Sequence, residues 1–136
     1  MKRKICLFFA FVFMLSALVS PSVLADDISL FDNNTCDTYT HFSVSDTGEA
    51  RVMVNYNGYS AITTHASIVV KIEKRNLLVF WKDVVEEIYY CWDASYSNTF
   101  VYQLEKSGTY RCTVTYTISG IGGADDVITF QDTKTY

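Results

Sequence analysis

The side chains best suited to covalent chemistry in this chain are four cysteines, Cys6, Cys36, Cys91 and Cys112, and two histidines, His41 and His65. A cysteine nucleophile needs a base beside it to hold it as thiolate, and Cys91 with His65 is the dyad the sequence offers. The plainer reading of Cys91 is a disulfide-bonded or unreactive thiol. No serine-hydrolase elbow, phosphate-cradling loop or paired zinc-ligand motif is present, and Gly120 to Gly123 lack the following helix and lysine that would make a phosphate site. Carboxylates gather in three places, at Asp32 to Asp37, at Asp83 with Glu86 and Glu87, and at Asp125 with Asp126. Calcium draws several oxygen ligands from one short loop. None of the three runs supplies a full set, so they read as solvated turns, with no metal and no cofactor expected.

The aromatic residues are more suggestive. Tyr59, Trp81, Tyr89, Tyr90, Trp92 and Tyr96 exceed what alternating strands can bury, and several fall in or beside connecting segments. Rings exposed at loops stack on sugars or anchor a protein partner, which marks Tyr59, Trp92 and Tyr96 as the candidate ligand-binding residues. The competing reading is a second small hydrophobic cluster beneath the connection over 83–98.

Lys2, Arg3 and Lys4 precede an apolar run from Ile5 to Val19, then Val23-Leu24-Ala25 before Asp26 and Asp27. This is the layout of a secretory signal peptide cleaved after Ala25. The apolar run is short for a membrane span, and Cys6 lies too early in it for a lipoprotein cysteine. Cleavage would leave 111 of the 136 residues, enough for one domain with a modest core. Losing the three basic residues leaves eight Lys and Arg against fifteen Asp and Glu, a net charge of −7. That balance disfavours nucleic acid and anionic lipid. Three cysteines remain, which allows one pair and one leftover thiol. The preferred pair is Cys36 with Cys91, because Cys112 falls on the apolar face of a strand; an intermolecular bridge through the odd cysteine is the alternative.

The elements that must position these residues read as strands. From Tyr110 onward Tyr110, Cys112, Val114, Tyr116 and Ile118 alternate with Arg111, Thr113, Thr115 and Thr117, the period of a strand with one buried face. Phe42 with Val44, Val52 with Val54 and Tyr56, and Ala66 with Ile68, Val70 and Ile72 give three more. Residues 77–82 read as a strand, whereas 83–90 fit either its extension or a helical turn, since apolar residues there recur at three-to-four spacing. Phe100, Tyr102 and Leu104 form another strand, and 127–130 the last, with 131–136 a fraying end. The expected organisation is a signal peptide over 1–25, an arm over 26–39 and one all-β sandwich of about seven antiparallel strands over 40–136.

Leu104, the Ser107-Gly108 turn and Tyr110-Arg111-Cys112 resemble the tyrosine corner of immunoglobulin-like domains, in which the phenol bonds to backbone a few residues upstream, here around Lys106. The family's inter-sheet disulfide is absent, since no cysteine lies between Val52 and Tyr56, and Ile68 or Val70 takes the space of its core tryptophan. The layout is also similar to a group of small secreted proteins of Gram-positive bacteria, a resemblance that implies a bacterial, extracellular setting and supplies no catalytic residues. These readings lead to a secreted, non-enzymatic binding module for a protein or glycan, monomeric or a cysteine-linked dimer. The alternative is a structural or surface-assembly protein using its odd cysteine or an edge strand. A hydrolase using Cys91 or a carboxylate pair is the third reading.

Overall fold

The computed structural model describes residues 33–77 and 79–136; the expected signal peptide, and the arm up to residue 32, lie outside the described residues. Seven strands follow one another: β1 (Thr35–Val44), β2 (Glu49–Gly58), β3 (Thr63–Asn76), β4 (Phe80–Cys91), β5 (Ser95–Gln103), β6 (Thr109–Gly120) and β7 (Asp126–Thr135). All pair antiparallel, in a three-stranded sheet of order β1-β2-β5 and a four-stranded sheet of order β4-β3-β6-β7. This is the immunoglobulin-like arrangement with the fourth strand beside the third instead of beside the fifth. β1 packs towards β7 and β6, so β4 and β5 form the other lateral edge of the sandwich.

Alternation along the strands decides what lies between the sheets. Val52, Val54 and Tyr56 of β2 face Ile68, Val70 and Ile72 of β3 and Cys112, Val114 and Tyr116 of β6 across one apolar layer. Burying a side chain of this size contributes roughly 1.5–3 kcal/mol. Ile68 and Val70 are fully buried at the centre of this layer. The Tyr110 hydroxyl donates to the Lys106 carbonyl at 2.5 Å, joining the β5–β6 turn to the start of β6.

Two boundaries differ from the sequence reading, and the choice left open over 83–90 falls to the strand. The first strand starts at Thr35, inside the expected arm, because the buried Asp126 carboxylate accepts the backbone N–H groups of Asn33, Asn34 and Thr35 at 2.7 to 2.9 Å. Residues 80–91 form one strand with no helical turn. A bulge lies there, for Glu73 pairs Asp83 while Ile72 pairs Val85, leaving Val84 without a partner. One extra residue slips the two-residue alternation, which is how a strand came to show helix-like spacing. The tail does not fray: β7 runs to Thr135, and Tyr136 lies against Tyr110 with its hydroxyl donating to the Leu104 carbonyl at 2.9 Å.

Candidate functional site

The strand order gathers the 59–62, 92–94 and 121–125 links and Asn33–Asn34 at one end of the sandwich. Gly58 closes β2 against the β4–β5 link, its N–H donating to the Ala94 carbonyl at 2.8 Å. A Cβ there would meet the Thr63 hydroxyl at 2.2 Å and the Ala94 carbonyl at 2.8 Å, so only glycine lets the links come together. The Tyr59 carbonyl accepts the N–H groups of Ile62 and Thr63, both at 2.8 Å. Thr63 Oγ1 accepts the Tyr59 N–H and donates to the Asn34 carbonyl. The Tyr56 hydroxyl reaches out of the core to donate to the Asp93 carbonyl at 2.7 Å. The links are therefore held by the core rather than left loose.

On this fixed end, Tyr59 is 42% exposed and Trp92 77% exposed. The Trp92 indole stacks on the His65 imidazole, with centroids 5.3 Å apart and planes inclined by 28°. Tyr96 is at the same end but turns inward: it pairs Tyr56 in register, stacks on it at 6.4 Å, and its hydroxyl accepts from the Asn98 amide at 2.9 Å. Of the three expected aromatics, two present rings to solvent and the third props up the link.

The outer face of the β4-β3-β6-β7 sheet continues the surface. Tyr90, 68% exposed, and Ile88 stand on the same face of β4, opposite Ser67 and Val69 of β3, which are followed across the sheet by Thr117 and Thr115 of β6. The result is a ring strip, His65–Trp92 and Tyr90, bordered by a row of hydroxyls. Sequence reasoning missed His65 and Tyr90 as members of this surface. The signal for Tyr90 was its alternation with Tyr89, which sits on the inner face, stacked on Phe100 at 3.8 Å; two neighbouring tyrosines of one strand face opposite ways.

Among the described residues the cysteines are free thiols, exposed at Cys36 and buried at Cys91 and Cys112. The expected Cys36–Cys91 bridge is not formed. Cys36 lies on β1, whose sheet edge faces β7, whereas Cys91 lies on β4 at the opposite lateral edge. Cys36 sits at a register break of β1, its thiol against the Asn57 carbonyl at 3.0 Å. The Cys91–His65 dyad is not assembled either. Cys91 pairs Ala66 on the inner face of the sheet, and His65, one residue earlier, projects from the outer face. Burial, with the nearby Asp93 charge, pushes the Cys91 thiol up, and burial with Asp132 pushes Cys112 up to about 12. Both shifts oppose thiolate formation.

Within two of the carboxylate runs, Asp126, Asp83 and Glu87 have structural partners. Asp126 holds the start of β1, and Asn34 donates to the Ala124 carbonyl at 2.8 Å while its side-chain oxygen accepts the Gly122 N–H at 3.2 Å. Asp83 pairs Lys71 at 3.0 Å. Glu87 accepts from the hydroxyls of Tyr89 and Tyr102, which bond to each other at 3.0 Å.

The fold and this end together define a small immunoglobulin-like sandwich carrying an aromatic loop surface. No family model matches the chain, and no characterised protein matches it. Among solved structures it is similar to a β-glucosidase from Listeria innocua in complex with isofagomine, at 14% identity and a TM-score of 0.38, over 68% of this chain and 16% of that one. It is also similar to a GH3 β-glucosidase from Bifidobacterium adolescentis, at 16% identity and a TM-score of 0.39, over 73% of this chain and 18% of that one. The chain spans less than a fifth of either enzyme's length.

Proposed function

We propose that this protein is a secreted, non-enzymatic binding module whose ligand sits on the ring strip of Trp92, His65 and Tyr90, with Tyr59 at its border. The carrying observation is the exposed Trp92–His65 stack, built on links fixed by Gly58 and Tyr56. Exposed indole is costly to leave in water, and a rigid ring loses little entropy when it is covered. A hydroxyl border beside flat rings suits a saccharide, whose apolar faces stack on rings while its hydroxyls exchange hydrogen bonds. A protein partner is the other ligand the same surface accepts. A non-enzymatic reading is supported by the inner-face, pKa-raised Cys91 thiol and by the engagement of Asp83, Glu87 and Asp126 in internal contacts. A glycan array and a pull-down from bacterial and host extracts, each run with wild type and Trp92→Ala, test the reading. Retention that Trp92→Ala abolishes is expected; equal retention by both forms contradicts it.

Assembly is the second reading, favoured by one observation: Cys36 is an exposed thiol. The bridging cysteine is then Cys36, since Cys91 is buried. A dimer on a non-reducing gel that disappears in Cys36→Ser supports it, and a monomer under oxidising conditions removes it.

A further inference from the structure

The opposite end of the sandwich has different chemistry. There the β3–β4 and β5–β6 turns flank an open cavity of about 590 Å³ at the lateral edge where β4 and β5 lie. Eight Lys and Arg side chains fall within the described residues. Arg51, Lys71, Arg111 and Lys134 each pair with a carboxylate. The other four, Lys74, Arg75, Lys82 and Lys106, pair with none among the described residues, and all four line this one cavity. Two carboxylates also reach it, Asp83, which already holds Lys71 at 3.0 Å, and Glu105. In a chain of formal net charge −4, every cation left without a carboxylate partner in the described residues has been brought to one place.

Two of the four are fixed in advance. Lys74 lies across the turn, its ammonium donating to the Ser107 carbonyl at 2.9 Å and standing 5.5 Å from the centre of the Tyr110 ring. Gly108 makes room for it, since a Cβ at that position would meet Lys74 Cε at 2.8 Å. The Arg75 guanidinium stands over the Trp81 ring at 5.0 Å. Lys82 and Lys106 complete the cavity from exposed positions on either side. Side-chain amides of Asn76 and Gln103 also line it.

We propose that this cavity binds an anionic oligosaccharide, its acid groups held by Lys74, Arg75, Lys82 and Lys106 and its hydroxyls by the two amides. Prearranged charge of one sign in a concave site concentrates ligands of the other. Nucleic acid is a poorer fit because single strands bind through exposed stacking rings, and the cavity's one ring, Tyr110, is 2% exposed. An acidic peptide is a poorer fit too, since Val84 is the one exposed apolar side chain on the walls and no exposed aromatic anchor joins it.

The test is calorimetric titration of the protein, as produced by an expressing host, with an oligogalacturonate, a heparin-derived oligosaccharide, a neutral malto-oligosaccharide and a poly-glutamate peptide. The first two arms separate a carboxylate source of the charge from a sulfate source. Binding of at least one acidic oligosaccharide is expected, weakening as NaCl is raised. Lys82→Glu with Lys106→Glu should lower that affinity about tenfold or more. Lys82→Gln with Lys106→Gln should fall between, with thermal melts unchanged because both side chains are exposed. The same titrations in a Trp92→Ala background remove any contribution from the ring strip at the other end, and the dependence on Lys82 and Lys106 should persist there. The proposal is overturned if neither acidic oligosaccharide binds, if the neutral one binds equally well, if poly-glutamate is preferred, or if the charge-reversed form keeps full affinity.

Discussion

Tyr110 loses a single oxygen in Tyr110→Phe, so that substitution isolates the bond to the Lys106 carbonyl while leaving the ring stacked on Tyr136. The Lys106 carbonyl is then short of a donor at a half-dry turn, and a loss of about 1 kcal/mol is expected in a urea melt. A midpoint equal to wild type would contradict the corner. The cysteines give a second residue-scale expectation. A thiol reagent applied to the native protein should modify Cys36 alone, with Cys91 and Cys112 reacting only after denaturation, since both are buried with thiols pushed up. Rapid native labelling of Cys91, read by mass spectrometry, would show an accessible thiolate and revive a catalytic role for it.

At the scale of elements, the strands were legible wherever a clean two-residue alternation met one buried face. That held for Val52 to Tyr56, Ala66 to Ile72 and Tyr110 to Ile118. Legibility failed where a long-range partner or a bulge decided the outcome. Nothing near Thr35 announces a strand; its start depends on Asp126, ninety-one residues away, whose carboxylate accepts three backbone N–H groups. Asp126→Ala should therefore cost about 2 kcal/mol or more, as charge-assisted bonds to buried donors do. It should also raise hydrogen exchange in the first residues of β1 before the rest of the sheet. Uniform exchange across the chain would remove that linkage. The Val84 bulge hid the continuity of β4, because local spacing cannot reveal which residue lacks a partner. The aromatic surface was half legible for a similar reason. Tyr59 and Trp92 lie in links, where exposure follows from position. Tyr96 and Tyr90 lie on strands, where register sends the first inward against Tyr56 and the second out to solvent.

On the scale of the whole molecule, one apolar layer separates two ends of unlike character, rings and hydroxyls at one and unpaired cations at the other. That layer also carries acids kept neutral by burial. Tyr56 is pushed up to about 12, first by burial and then by the charges of Cys91, Asp93 and Tyr96, and Cys112 to about 12, from ordinary values of 10.0 and 9.0. Between those limits the unfolded chain has released protons that the native one retains, so stability falls as pH rises. Urea midpoints should hold steady up to about pH 9 and decline towards pH 12, and Cys112→Val should flatten the lower part of that slope. A midpoint independent of pH over that range would mean these groups are solvated in the native state. The ring surface itself is best tested by nuclear magnetic resonance of the labelled protein titrated with the saccharide or protein fragment retained most strongly in the array and pull-down. The expected result is a set of shift changes confined to Trp92, His65, Tyr90 and Tyr59 and lost in Trp92→Ala. Changes that leave those four residues untouched while another face of the sandwich responds would contradict the assignment of this end as the binding surface.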